Sequence, residues 1–172
     1  MADYEARIAP FINQEFWVTS EFGEPRPGRE PHKGIDIATP SAGGRSSSLF
    51  NGRWVYLPKN FWRRWISDII LSLKLIQVCG FLYGHMREAS PKNQGDRVAV
   101  GEYVGYEGTT GSSTGIHLHL EMQNLLTKDW EFGADLSVYI NPALFMGIPN
   151  TERISAIYNG TPRTKSRAYT CF

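Results

Sequence analysis

Cysteine is nearly absent from this sequence. Cys79 and Cys171 are the only two in 172 residues, too few for the disulfide framework that holds small secreted scaffolds together. A bridge between the two is possible but not implied, and Cys79 is expected rather as a free, buried thiol that packs like a small apolar residue. No sign of charge dominates either: eighteen Lys and Arg stand against seventeen Asp and Glu, so no bulk field draws the chain to nucleic acid or to an anionic membrane. The opening residues Met1 to Arg7 lack the basic segment and apolar run of a secretory signal, and export by that route is not expected. Long apolar runs are scarce. Trp65 to Tyr83 is the most apolar window, but Asp68, Lys74 and Gln77 interrupt it, and polar groups are costly in hydrocarbon. It reads instead as a β-hairpin, with Asp68–Leu73 and Gln77–Tyr83 joined through Lys74-Leu75-Ile76. With 41% hydrophobic and 20% charged residues, the composition is that of a globular domain, and it excludes a disordered or collagen-like chain. A chain of this length buries roughly 70% of its unfolded surface. Any metal it binds would serve chemistry rather than folding.

Helix-inviting stretches are also few, confined to residues 61–70, 142–147 and one short turn in the first fourteen residues, which Pro10 ends. What is present reads as short strands between glycine-rich turns: Phe16–Ser20, Gly34–Ala38, Asp96–Val100, Glu102–Tyr106 and Ile116–Glu121. Asn51-Gly52, flanked by Leu49-Phe50 and Arg53–Leu57, is a tight-turn signal. Residues 23–31 hold three prolines and two glycines and form a loop. The expected fold is mostly β, an antiparallel, sandwich-like sheet with short helices at the ends. The expected organisation is an arm over residues 1–15, one domain over 16–147, and a polar tail over 148–172.

The four histidines, at positions 32, 85, 117 and 119, all fall in short motifs. In Ile116-His117-Leu118-His119-Leu120-Glu121 the strict alternation of a half-buried strand turns Ile116, Leu118 and Leu120 inward. His117, His119 and Glu121 share the other face. The two imidazoles then stand about 7 Å apart at roughly 3.3 Å per residue. That is long for two ligands of one ion, and it suits one ligand beside one proton acceptor. Glu121 reads as a supporting partner rather than a proton carrier. In His32-Lys33-Gly34-Ile35-Asp36 the prolines before His32 and Gly34 inside the motif allow the bend that brings His and carboxylate together. Zinc accepts His nitrogen and Asp oxygen at about 2 Å, and a catalytic site uses three protein ligands. His32, Asp36 and either strand histidine complete that set. His85, in Tyr83-Gly84-His85, cannot be placed by spacing. The segment Gly108–Gly115 lacks the Lys of a phosphate loop and leads into a strand, which argues against nucleotide binding.

In this order, His32-Lys-Gly-Ile-Asp36, Leu82-Tyr-Gly-His85-Met86, the long run from Gly95 through His117-Leu-His119-Leu-Glu121, and Asn141-Pro142 resemble the M23 family of zinc metallopeptidases, the lysostaphin and LytM-like group. The likeness covers about residues 16–147. It implies an antiparallel β fold with a groove, one zinc per chain on His32, Asp36 and His119, His117 as general base, and His85 as the second catalytic histidine. The small hydroxyl residues Thr109, Thr110, Ser112, Ser113 and Thr114 are expected to line the path of an extended peptide. The family's usual segment before Tyr-Gly-His is replaced by Trp54–Leu75, where Trp62 and Trp65 beside Arg63 and Arg64 are candidates for stacking on sugar or for packing under the hairpin.

The activity the resemblance implies is hydrolysis of peptide bonds in the stem or cross-bridge of bacterial peptidoglycan, at the cell wall and without a membrane span. The missing signal points to a phage virion or lysis protein, or to a piece of a longer exported chain. Two other readings stand beside it: a non-catalytic wall-binding or activating module, and a metallohydrolase acting on a peptide outside the wall.

Overall fold

A computed structural model describes residues 2–41, 43–47, 52–54, 71–74, 79–93, 95–124 and 136–159. Strand β1 covers Tyr4–Glu5, β2 Glu15–Ser20, β3 Gly34–Ala38, β4 Arg45–Ser47, β5 Gly52–Trp54, β6 Leu71–Lys74, β7 Cys79–Gly84, β8 Arg97–Val98, β9 Tyr103–Tyr106, β10 Leu118–Asn124 and β11 Ser155–Ile157. Among the described residues the large sheet has nine strands in the order β1-β11-β2-β3-β10-β7-β6-β5-β8, and β4 pairs with β9 in a separate ribbon. The protein is mostly β, as its glycine-punctuated strand pattern predicts. One pairing departs from the expected antiparallel sheet: β1 runs parallel to β11, Tyr4 facing Ala156.

Strands β3, β10 and β7 form the centre, and their apolar residues build the core. Ile35, Ile37, Leu118, Leu120, Met122, Phe81 and Tyr83 are all at most 1% exposed, which is why the sheet centres on them. On β10, alternation holds from Leu118 to Met122, with His119 and Glu121 half-buried on the other face. Ile116 departs from its expected inward position and is 42% exposed. Regular pairing begins only at Leu118, and His117 is joined to Gly108 by a single bridge, so the two-residue period does not reach back to Ile116. The two strands of the expected hairpin pair, β6 antiparallel to β7 with Leu71 opposite Tyr83; Lys74, expected in the connection, belongs to β6, and residues 68–70 and 75–78 lie outside the described residues. Strand β5, after Asn51, pairs with β6 and β8; Leu49, Phe50 and residues 55–57 of that turn reading lie outside the described residues.

The short helical turn expected in the arm is not found. Residues 4–5 are strand, and Ala6, Ile8, Ala9 and Phe11 are buried in the core. One isolated turn of helix is weak, and burial of these side chains outweighs it. At the other end β11 sits between β1 and β2, so chain on both sides of 16–147 contributes strands to the one sheet. Helix α1, Pro142–Met146, forms where expected. Asn141 Oδ1 accepts from Ala143 N at 2.9 Å, Pro142 starts the helix, and Gly147 ends it at φ 73°. The helical reading of 61–70, and with it Trp62, Arg63, Arg64 and Trp65, lies outside the described residues. Cys79 is engaged in a disulfide, which corrects the expectation of a free thiol. Spacing carries no information on whether two cysteines meet in space; Cys171 lies outside the described residues.

A buried carboxylate ties the two sheets together. Glu107, 0% exposed, accepts from Gly43 N at 2.8 Å, Gly44 N at 2.7 Å, Thr39 N and the Thr39 hydroxyl. Its own N–H donates to Gly44 O at 3.0 Å. Several donors on one carboxylate satisfy a charge that would otherwise be costly to bury. The bonds hold the segment after β3 against the end of β9, one residue before the loop that carries Thr110.

Candidate metal centre

Sheet register, rather than sequence proximity, builds the site. His119 on β10 lies directly opposite Asp36 on β3 and Gly84 on β7, and Asp36 in turn faces Ser20 on β2. Directly opposed residues share a face, so one row crossing four strands gathers a hydroxyl, a carboxylate and an imidazole. Two glycines leave room for the His119 ring: a Cβ at Gly84 would stand 3.2 Å from His119 Cβ, and one at Gly34 2.8 Å from its Cε1. His32 arrives from the loop before β3, held by Gly23 N to His32 O at 2.8 Å and His32 N to Glu24 O at 3.0 Å.

Three donor atoms meet there. His32 Nε2 is 3.0 Å from His119 Nδ1 and 3.1 Å from Asp36 Oδ1, and His119 Nδ1 is 2.7 Å from Asp36 Oδ1. Among the described residues His32, Asp36 and His119 are the group of three that could hold a metal ion. The remaining nitrogens are engaged in ways that set the tautomers. His32 Nδ1 donates to Glu21 O at 2.8 Å, with Ser20 Oγ also at 2.8 Å. His119 Nε2 donates to Glu121 Oε1 at 3.0 Å. Such outer bonds hold a metal-ligating imidazole with its other nitrogen bare. Donor chemistry, spacing and outer support fit one divalent ion of the zinc type.

The other two histidines stand beside this trio. His117 Nε2 is 3.6 Å from Asp36 Oδ2, and its Nδ1 donates to Gly115 O at 2.9 Å. His85 Nδ1 donates to Thr110 O at 2.8 Å, and the His85 and His117 rings are 4.8 Å apart, edge to face. His85 adopts φ 58°, a left-handed conformation uncommon outside glycine, though His is among the side chains that adopt it more readily. The loop thus serves both histidines through backbone carbonyls. Its hydroxyls mostly hold the loop itself: Thr110 Oγ1 donates to Met86 O at 2.9 Å, Thr109 Oγ1 to Ser113 Oγ at 3.0 Å, and Ser113 Oγ to Gly115 O at 2.7 Å. Ser112 and Thr114 are exposed. Ser20, the Glu21 carbonyl and Arg26 also belong to the site. No short motif marks them, since register and loop path alone bring them in.

Electrostatics separate the roles. Burial would raise the Asp36 pKa, but hydrogen bonds from His119 and His32 outweigh it and hold the carboxyl well below its usual range. Burial would lower that of His119, yet its bonds to Asp36 and Glu121 push it up to about 10. For His117 burial prevails over the Asp36 charge, and its pKa falls below the ordinary imidazole value. Near neutral pH His117 is therefore uncharged. With its pKa raised, His119 keeps a proton through neutral pH, and an incoming metal ion must displace it. Loading is expected to release about one proton from His119, and affinity to fall about tenfold per pH unit as pH drops below about 10. Calorimetry in two buffers of different ionisation enthalpy measures this, and no released proton at pH 7 contradicts it.

A β-sheet face with a His-Asp-His donor trio and two further imidazoles defines the class of a candidate mononuclear metallohydrolase. A model of peptidase family M23 matches residues 30–131 of 172, more than half of the chain, and the chain belongs to that family. It is similar to the catalytic domain of the prophage-encoded M23 protein EnpA from Enterococcus faecalis, with 28% identity, a TM-score of 0.55, and coverage of 78% of this chain and 95% of that one. The catalytic domain of the antimicrobial peptidase lysostaphin from Staphylococcus simulans shares the fold at 20% identity and TM-score 0.56, with 78% and 92% covered. So does a chain of the SpoIIIAH–SpoIIQ complex, at 20% and 0.58, with 81% and 100% covered. No helix among the described residues is long and apolar enough to cross a membrane.

Proposed function

We propose that the protein is a zinc-dependent endopeptidase that hydrolyses peptide bonds in the stem or cross-bridge of bacterial peptidoglycan. The observation that carries this reading is the convergence of three clustered donors with two imidazoles whose Nδ1 atoms are both tied to the 108–115 loop. A zinc ion held by His32, Asp36 and His119 would supply a Lewis acid and lower the pKa of water toward 7.

The chain's own groups do the rest. His117, uncharged and fixed by Gly115 O, takes a proton at Nε2 during attack and returns it to the leaving amine. His85, held through Thr110 O beside His117, is placed to hydrogen-bond a substrate oxygen. Asp36 keeps its negative charge across the working pH range. We assign the catalytic unit to residues 16–147, with 1–15 and 148–172 flanking it, and the place of action to the bacterial cell wall. The 28% identity to a prophage-encoded protein supports a phage lysis or virion role.

Mass spectrometry of peptidoglycan fragments, with and without chelator, tests the proposal. New amino termini are expected only when metal is present, and the spectrum identifies the bond. A chain that holds zinc and releases no fragment would instead favour the non-catalytic wall-binding module.

A further inference from the structure

The proline-rich loop before His32 has a use that the reaction described so far leaves out. Arg26 lies between Pro25 and Pro27, which confine the backbone on both sides. It is also the first residue of a tight turn. Arg29 N donates to Arg26 O at 3.1 Å, and Gly28 takes φ +69°. Proline second and a positive-φ glycine third is the pattern of a type II turn. Both ends of the loop are closed by the His32 bonds to Gly23 and Glu24. The guanidinium is thus presented from a stiff base, which limits the ordering cost of binding a ligand.

Its position is at the mouth of the site. Arg26 Nη2 is 3.6 Å from Asp36 Oδ2 and 3.3 Å from Ser20 Oγ, and the side chain is 39% exposed. His117 Nε2 approaches the same Asp36 oxygen, also at 3.6 Å. Arg26 and the proton acceptor therefore flank one oxygen. An extended peptide advances about 3.5 Å per residue, so Arg26 reaches no further than about two residues from a bond attacked beside His117. The contacts to Asp36 and Ser20 both use Nη2, one nitrogen of a guanidinium that carries five N–H groups. Glu24, two residues before Arg26, accepts from the Ser20 hydroxyl at 2.5 Å.

We infer that Arg26 is a specificity-determining residue that binds a carboxylate of the substrate within two residues of the scissile bond. This rests on the peptidase reading of the same site. A planar guanidinium with free N–H groups favours a carboxylate over the isosteric carboxamide.

The test uses two synthetic cross-linked stem peptides that differ only in carrying a carboxylate or a carboxamide next to the cross-link. The zinc-loaded protein is expected to favour the carboxylate by about 10–100-fold in kcat/KM, mostly through KM. Arg26→Gln is expected to abolish that discrimination at unchanged zinc content, and Arg26→Lys to restore part of it. Equal rates on the two peptides in the native protein overturn the inference. So does an equal slowing of both by Arg26→Gln, which would mean that Arg26 acts only through Asp36. If neither peptide is cleaved, the peptidase reading fails on its own, and calorimetry with the same peptides decides the question for binding. Tighter carboxylate binding that Arg26→Gln removes supports the inference, and binding that Arg26→Gln leaves unaltered overturns it.

Discussion

His117→Ala is expected to retain one zinc per chain while turnover falls about 10²–10⁴-fold, and His119→Ala to lose both the ion and the activity. The two residues stand two apart in sequence, but they meet Asp36 differently. His119 Nδ1 stands 2.7 Å from Oδ1 within the donor trio, whereas His117 Nε2 stands 3.6 Å from Oδ2. Removing His119 also leaves Asp36 and Glu121 without the imidazole that joins them, and a three-ligand site becomes a two-ligand one. Removing His117 leaves every atom of the trio in place and deletes the group proposed above as proton acceptor. Metal analysis beside steady-state kinetics distinguishes the two. Equal zinc loss in both variants would refute the division of roles.

Gly108→Ala is expected to destabilise the protein by about 3 kcal/mol, to lower Tm by about 6–12 °C, and to lose nearly all activity. A Cβ at this position would collide with Arg87 N, lie 2.5 Å from Arg87 Cα and 2.6 Å from His85 O. These are backbone atoms, which cannot rotate aside as a flexible side chain does. The same residue accepts the His117 N–H at 2.9 Å, so any shift of the loop moves both histidines. Gly115→Ala is the control for stability: nothing lies within 4 Å of its Cβ position, and a change within about 0.5 kcal/mol is expected. Thermal unfolding of the pair checks this. Similar losses in both would show that the close approach at Gly108 is not the cause.

Local pattern accounts for what was legible in the chain. The alternation around His119 announced a half-buried strand, and the strand is there, with Leu118 and Leu120 fully buried. Residues 142–147 announced a short helix, and α1 occupies Pro142–Met146, closed by caps at Asn141 and Gly147 that operate within a few residues. The same reasoning misplaced Ile116, because alternation says nothing about where pairing starts. It also assigned a helical turn to an arm whose conformation is set by distant partners on β11. Glu107 carried no signal at all, since a lone Glu after a strand is ordinary until Gly43, Gly44 and Thr39 converge on it.

What the sequence determined by itself was the mostly β class, the chemical kinds of group available for a metal, and a spacing that allows only one of two strand histidines to join His32 and Asp36. Each of these depends on short-range geometry: a two-residue strand period, a fixed rise, a bend at proline and glycine. Which histidine enters the trio was decided by tertiary structure. The β3–β10 register sets His119 opposite Asp36, and register follows from which apolar faces must be buried together. The placing of Arg26 beside Asp36 and the anchoring of His85 and His117 on loop carbonyls were likewise tertiary outcomes. They join residues far apart in the chain, through contacts that local periodicity does not encode.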